Sequence, residues 1–146
     1  MDLAGALAQG GALLDELDDG DALERRARQL LAVACREASC MIVAASPPAE
    51  RLVGAALALG GGAVRGWTSG ADPTVLVCDV MLASGESLIR VATRLRRQGA
   101  ERVVALVFSD PFGWGRARVP GVDALVVIEH EVQHGSEARQ ALSLVS

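Results

Sequence analysis

Asp79 closes the apolar run Val75-Leu76-Val77-Cys78 and is followed by Val80-Met81-Leu82-Ala83-Ser84-Gly85-Glu86-Ser87. A carboxylate at a strand end and a small-residue loop that opens a helix offer two kinds of chemistry. The helix N-terminus presents free N–H groups to an anion, Gly85 permits close backbone approach, and the hydroxyls of Ser84 and Ser87 can donate to phosphate oxygens. Asp79 can accept from sugar hydroxyls or hold a magnesium ion. A phosphorylated sugar satisfies both halves. The same residues also admit a purely structural role, in which Ser84 caps the helix and Asp79 simply ends a strand.

A second pattern with chemical content lies downstream. His130-Glu131-Val132-Gln133-His134 fits the His-Glu-x-x-His spacing of zinc peptidases, in which histidines one helical turn apart bind zinc and the glutamate activates water. Gly135 follows at once, the run leaves a strand-like stretch instead of lying inside a long helix, and Glu137 is too near to be a third ligand of the known types. Emerging from a last strand at the ligand edge, Glu129, His130 and Glu131 are placed to meet an acceptor or a metal. There His130 can serve as a general base near neutral pH.

Composition removes several mechanisms. The chain has no lysine and no tyrosine, so all 14 basic residues are arginines. Schiff-base catalysis, a lysine-anchored pyridoxal site and a Walker-type phosphate loop all need an ammonium group that is lacking. A net charge of -4 disfavours non-specific nucleic-acid binding. No apolar run approaches the roughly 20 residues of a membrane span. The first arginine is Arg25, so no basic region opens a secretory signal, and a cytoplasmic setting is expected. Cys35, Cys40 and Cys78 are odd in number and are expected to be reduced core thiols. The arginines at 25, 26 and 28, and at 94, 96 and 97, are expected on solvated helix faces.

The elements that must position the loop follow from patterning. Residues 2–37 read as helical, with Leu3, Leu7, Leu14 and Leu17 on one face and a break near Asp18-Asp19-Gly20. Gly10-Gly11 is a candidate interruption of the first helix, and Asp21 is placed to cap the second. From residue 40 the pattern becomes short apolar runs at 40–45, 63–67, 74–79, 102–108 and 124–129, separated by amphipathic segments at 49–60 and 86–98. Continuous apolar strands alternating with helices indicate an α/β, doubly wound, parallel sheet of about five strands, covered on both faces, with ligands at the carboxyl ends of its strands. The organisation is a helical segment over residues 1–38, serving as a hood over an acceptor or as a dimer contact, and an α/β core over 39–146.

With these residues in view, the 79–87 segment resembles the phosphoribosyl-diphosphate motif of the type I phosphoribosyltransferases. It is most similar to the uracil phosphoribosyltransferase version, Asp-Pro-Met-Leu-Ala-Thr-Gly-Gly-Ser. Asp79, Met81, Leu82, Ala83, Gly85 and Ser87 match that pattern, and Ser84 replaces threonine. Met41 to Pro48 resembles the strand and loop that hold the diphosphate in that family. Asp110-Pro111-Phe112-Gly113 and Val119-Pro120-Gly121-Val122-Asp123 resemble the connection between its fourth and fifth strands. The likeness covers roughly residues 40–129. Val80 stands where most of the family has a second acid, Glu86 where the uracil type has glycine, and the loop over the diphosphate has only Arg65 to Asp72 to form from. The Gly-, Asp- and Pro-rich base-recognition segment has no counterpart before Ser146, which points to an acceptor other than uracil.

The resemblance implies transfer of phosphoribose to an acceptor, with displacement of diphosphate at the anomeric carbon through an oxocarbenium-like state. Mg2+ neutralises the leaving group in that family. It implies that Asp79, Met81, Leu82, Ala83, Ser84, Gly85, Glu86 and Ser87 bind the ribose 5-phosphate, with Asp79 catalytic and in contact with magnesium. It further implies that Ser46, Pro47, Arg51 and Arg65 face the diphosphate, both arginines following strand ends at the ligand edge. Trp67 and Trp114 are candidates either to stack on a base or to pack. A homo-oligomer is expected, and a partner subunit is compatible with the short chain. Two other classes stand beside this one: a non-catalytic relative that senses a nucleotide or completes a partner enzyme, and a zinc hydrolase built on His130, Glu131 and His134.

Overall fold

Five parallel strands form the sheet of the computed structural model, which describes residues 2–39, 41–68, 73–113 and 119–128. The elements in chain order are α1 (Leu3–Glu16), α2 (Gly20–Arg36), β1 (Met41–Ala44), α3 (Pro47–Gly60), β2 (Arg65–Gly66), β3 (Thr74–Met81), α4 (Glu86–Arg97), β4 (Arg102–Ser109) and β5 (Ala124–Val127). The sheet order is β2-β1-β3-β4-β5. The chain therefore winds outward in one direction from β1 and in the other from β3, which makes the gap between their carboxyl ends the switch point.

Both faces of the sheet are covered, as continuous apolar strands require. Leu76, Cys78, Val104 and Leu106 pack under α2 and α3, while Val75, Val77, Val103 and Ala105 pack under α4 through Leu88, Ala92 and Leu95. The long central strands β3 and β4 stay paired to their ends, where the Leu82 N–H donates to the Ser109 carbonyl at 2.8 Å. β2 is only two residues long and pairs with Met41 and Ile42, so it is much shorter than the 63–67 run suggests. Among the described residues no helix is long and apolar enough to cross a membrane.

The N-terminal helices depart from expectation in three ways. The cap of α2 is Asp19, whose carboxylate accepts from the Asp21 N–H at 3.0 Å; Asp21 is already helical. Gly10-Gly11 does not interrupt α1, and the buried side of that helix is Ala6, Gly10 and, at its end, Leu17. Leu3, Leu7 and Leu14 face solvent. Residues 3–14 contain no charge, so periodicity could not choose between two apolar faces, and packing selects the smaller side chains because they let the helix approach closely. A Cβ on Gly10 would lie 3.0 Å from the Met81 Cε. Since Met81 ends β3, α1 sits over the carboxyl end of that strand.

Several polar residues are also placed differently from the sequence reading. Cys78 is buried, but Cys35 is an exposed free thiol on α2, and Cys40 lies outside the described residues. Arg26 is 4% exposed instead of solvated, with its guanidinium 5.2 Å from the Phe108 ring centroid, 3.1 Å from Glu16 and 3.2 Å from Gln29. An aromatic face and a carboxylate replace enough of the cation's lost hydration for it to be buried. Arg96 likewise bonds inward, to the Gly121 and Glu101 carbonyls and the Asp123 carboxylate, fixing the turn that leads into β5.

Candidate functional site

The carboxyl edge between β1 and β3 brings together the two pieces of sequence that the resemblance singles out. Ser46 follows β1, Asp79 lies near the end of β3, and the Ser46 Oγ donates to the Asp79 Oδ1 at 2.6 Å across 33 positions of chain. The same Oδ1 accepts from the Val80 N–H at 2.8 Å. The other carboxylate oxygen is left without a hydrogen bond from any described residue. Burial pushes the Asp79 pKa above its ordinary value, opposed by the bonds from Ser46 and Val80. The neighbouring Cys78 thiol is pushed far up, by burial and then by the Asp79 charge, so it is no nucleophile.

Beyond β3 the chain forms the loop that opens α4. Gly85 is the N-cap residue with φ +78°, a left-handed conformation that a side chain disfavours. The first intrahelical bond runs from the Ile89 N–H to the Gly85 carbonyl, so the N–H groups of Glu86, Ser87 and Leu88 have no partner within the helix. Ser84 accepts from the Glu86 N–H at 3.3 Å, the capping role, which leaves Ser87 and Leu88 as the amides available to an anion. The Glu86 carboxylate pairs with Arg90 one turn along the helix at 3.2 Å, which directs its charge away from the loop. Leu82 is buried in the core below α4, and Met81 packs beneath Gly10, so these two residues shape the loop.

The α3 terminus is built differently. Ser46 is its N-cap by position, but its hydroxyl makes no cap bond because it is turned to Asp79. Pro47 and Pro48 occupy the first two helical positions, and the first intrahelical bond runs from the Glu50 N–H to the Ser46 carbonyl. Proline has no N–H, so Ala49 alone supplies an amide to this end.

Of the two candidate cations, one follows a strand end but is paired elsewhere, and the other lies away from the ligand edge. Arg51 is early in α3, but it is ion-paired to Asp18, in the connection between α1 and α2, at 2.5 Å. Arg65 does not follow a strand at the ligand edge. It is the first residue of β2, aligned with Met41 at the start of β1, with its Nε 3.2 Å from the Met41 Sδ. Short pairing of β2 puts it toward the amino edge of the sheet. Trp67 also lies away from the edge, with its indole N–H donating to Gln98 beyond the end of α4 at 2.7 Å. Glu129, His130, Glu131, His134 and Trp114 lie outside the described residues. Among the described residues no cluster of three or more histidine, cysteine, aspartate or glutamate side chains forms a metal cage.

Sequence reasoning does not find Arg26, which lies against the penultimate residue of β4 beneath the helical segment. A signal is present: it stands between Ala22, Ala27 and Leu30 on a helix where Arg25 and Arg28 already supply the polar face. Compared with known protein families, with curated proteins and with solved structures, the chain matches none.

Proposed function

We propose that this chain is a phosphoribosyltransferase-type protein that binds phosphoribosyl diphosphate at the β1–β3 switch point and transfers phosphoribose to an acceptor other than uracil. The observation that carries this reading is the Ser46–Asp79 hydrogen bond, which joins the two halves of the motif at the edge where ligands bind in doubly wound sheets. The amides of Ser87 and Leu88 receive the 5-phosphate. Asp79 accepts from the ribose hydroxyls and, as a half-buried carboxylate aimed at a developing cation, stabilises oxocarbenium character at the sugar. α1 covers the same edge and excludes water from it.

The donor set fits magnesium carried in by the substrate. Mg2+ commonly keeps several waters and takes one or two protein carboxylates together with substrate phosphates, and Asp79 has an oxygen to give. When bound, the ion neutralises charge on the departing diphosphate. The exposed Cys35 and buried Cys78, both free thiols, support a cytoplasmic setting.

Two observations favour a second reading, a non-catalytic relative that senses a nucleotide or completes a partner enzyme. Pro47 and Pro48 leave the diphosphate side with the Ala49 amide alone, and Asp18 holds Arg51. Thermal unfolding with phosphoribosyl diphosphate and with ribose 5-phosphate, each with and without magnesium, tests both. A ligand at a hundred times its Kd adds about 2.7 kcal/mol of apparent stability. No shift with either sugar phosphate overturns the site. A shift without pyrophosphate release across a panel of nitrogenous acceptors selects the sensor or partner subunit.

A further inference from the structure

We propose that α1 is a two-position element: the Glu16 carboxylate holds the seat seen here, and in a second seat the helix rolls about its own axis to turn its leucines inward over the ligand edge. The observed seat is inverted relative to what burial favours. Leu3, Leu7 and Leu14 are 67%, 63% and 44% exposed, while the Gln9 Oε1 on the same helix is buried with no hydrogen-bond partner among the described residues. Apolar surface gains by leaving water and an unpartnered amide loses by it, so both features oppose this seat. A partner laid over the leucines would relieve the first and leave the second. A roll relieves both.

Helix geometry allows it. At about 100° per residue, the leucines lie to one side of the buried Ala6, Gly10 and Leu17 stripe and Gln9 lies to the other. A roll of roughly 80° brings Leu3, Leu7 and Leu14 to the buried position and carries Gln9 into solvent. Residues 3–14 contain no charge, so no ionised group is dragged inward. Two contacts hold the observed seat against this drive. Glu16 pairs with Arg25 at 2.6 Å and with the buried Arg26 at 3.1 Å, and the roll carries its carboxylate away from Arg26. Taking the carboxylate from a guanidinium packed against Phe108 is costly. Met81 is the second restraint: a Cβ on Gly10 would lie 3.0 Å from its Cε, so leucines enter only if the methionine moves. Met81 ends β3 close after Asp79, which couples the position of α1 to the carboxylate at the edge.

Thiol labelling of the full chain with a charged disulfide reagent reads the roll. Leu7→Cys and Gln9→Cys are made separately in a chain that also carries Cys35→Ser and Cys40→Ser, leaving the buried Cys78 as the native thiol. With Glu16 intact, the thiol at position 7 should react at least tenfold faster than the one at position 9. Glu16→Gln, which releases the charge that holds the helix, should reverse that order. Met81→Ala, which makes room for the leucines and leaves Glu16 in place, should shift both rates in the same directions. The proposal is overturned if neither variant changes the rates, or if both positions become faster together, which would mean that the helix detaches instead of rolling. It is equally overturned if position 7 is already protected with Glu16 intact and sedimentation shows a dimer, since a second copy would then cover the leucines. No sugar phosphate enters the measurement, so its failure and the failure of the phosphoribosyl site are separable.

Discussion

Two helices begin at the same edge of the sheet, and they present nearly opposite surfaces to a ligand. At α4 a left-handed glycine turns the chain so that Glu86, Ser87 and Leu88 point their amides outward. At α3 two prolines leave Ala49 as the one amide, and the cap hydroxyl is committed to Asp79. The helix dipole is similar in both, so the difference is in the donors that let an anion use it. An anion therefore has a seat at α4, while α3 contributes to the site by orienting a carboxylate. Under the proposed function, α4 would grip the phosphate end of the ligand, and the diphosphate end would be left to magnesium or to a neighbouring group.

Substitutions can break this contrast. The largest effect is expected from Gly85→Val, which forces a branched side chain into a left-handed conformation at a cost of about 1–3 kcal/mol and displaces the loop. Ribose 5-phosphate binding should be lost by calorimetry, with a lower Tm. Next comes Asp79→Asn, expected to weaken phosphoribosyl diphosphate binding at least tenfold while raising the Tm near neutral pH.

The sign of that stability change follows from burial. The folded chain holds the Asp79 proton more tightly than the unfolded chain does, so wild-type stability falls as pH rises from the ordinary value of 3.8 through the raised one. Asparagine keeps an oxygen for the Ser46 hydroxyl and carries no buried charge. Its advantage should shrink as pH falls through that window and vanish below it; an advantage independent of pH would show that the Asp79 charge is not what burial disfavours.

Pro48→Ala sharpens the contrast in the other direction by restoring an amide to α3. Affinity for pyrophosphate should rise about two- to fivefold, the scale of an anion at a helix end. No gain would mean that the diphosphate does not approach α3. Ser84→Ala should be the mildest, lowering stability by about 0.5–1 kcal/mol through loss of the cap, with ribose 5-phosphate affinity within about twofold because the Glu86 amide is freed. A large loss of affinity would mean that the hydroxyl itself holds phosphate.

The loop at α4 is legible in the sequence because it is local. Glycine, serine and a following amphipathic run fix where a helix starts and which amides it leaves free, and nothing distant is needed to read them. The amide-poor end of α3 is equally local, since Pro47 and Pro48 lack donors in any fold. Arg65 and Arg26 escape such a reading for a shared reason: the location of an arginine depends on which strand or helix lies beside it. Local pattern makes Arg65 follow a strand, but in the fold it begins β2 opposite Met41, at the amino end of β1. The same kind of pattern makes Arg26 solvated, but Phe108 and Glu16, brought against it by the fold, give it a buried berth.

By itself the sequence determined the parallel sheet and its covering on both faces, because strands apolar on both faces must be buried on both faces. It also determined the donors available at each helix start, because those are set by residue type. Tertiary structure alone decided that Ser46 meets Asp79, that α1 turns Ala6 and Gly10 inward and Leu3, Leu7 and Leu14 out, and that the β2 ladder stops opposite Ile42. Each of those depends on how closely two segments distant in the chain can approach, and close approach is a property of packing between elements that no single stretch of residues contains.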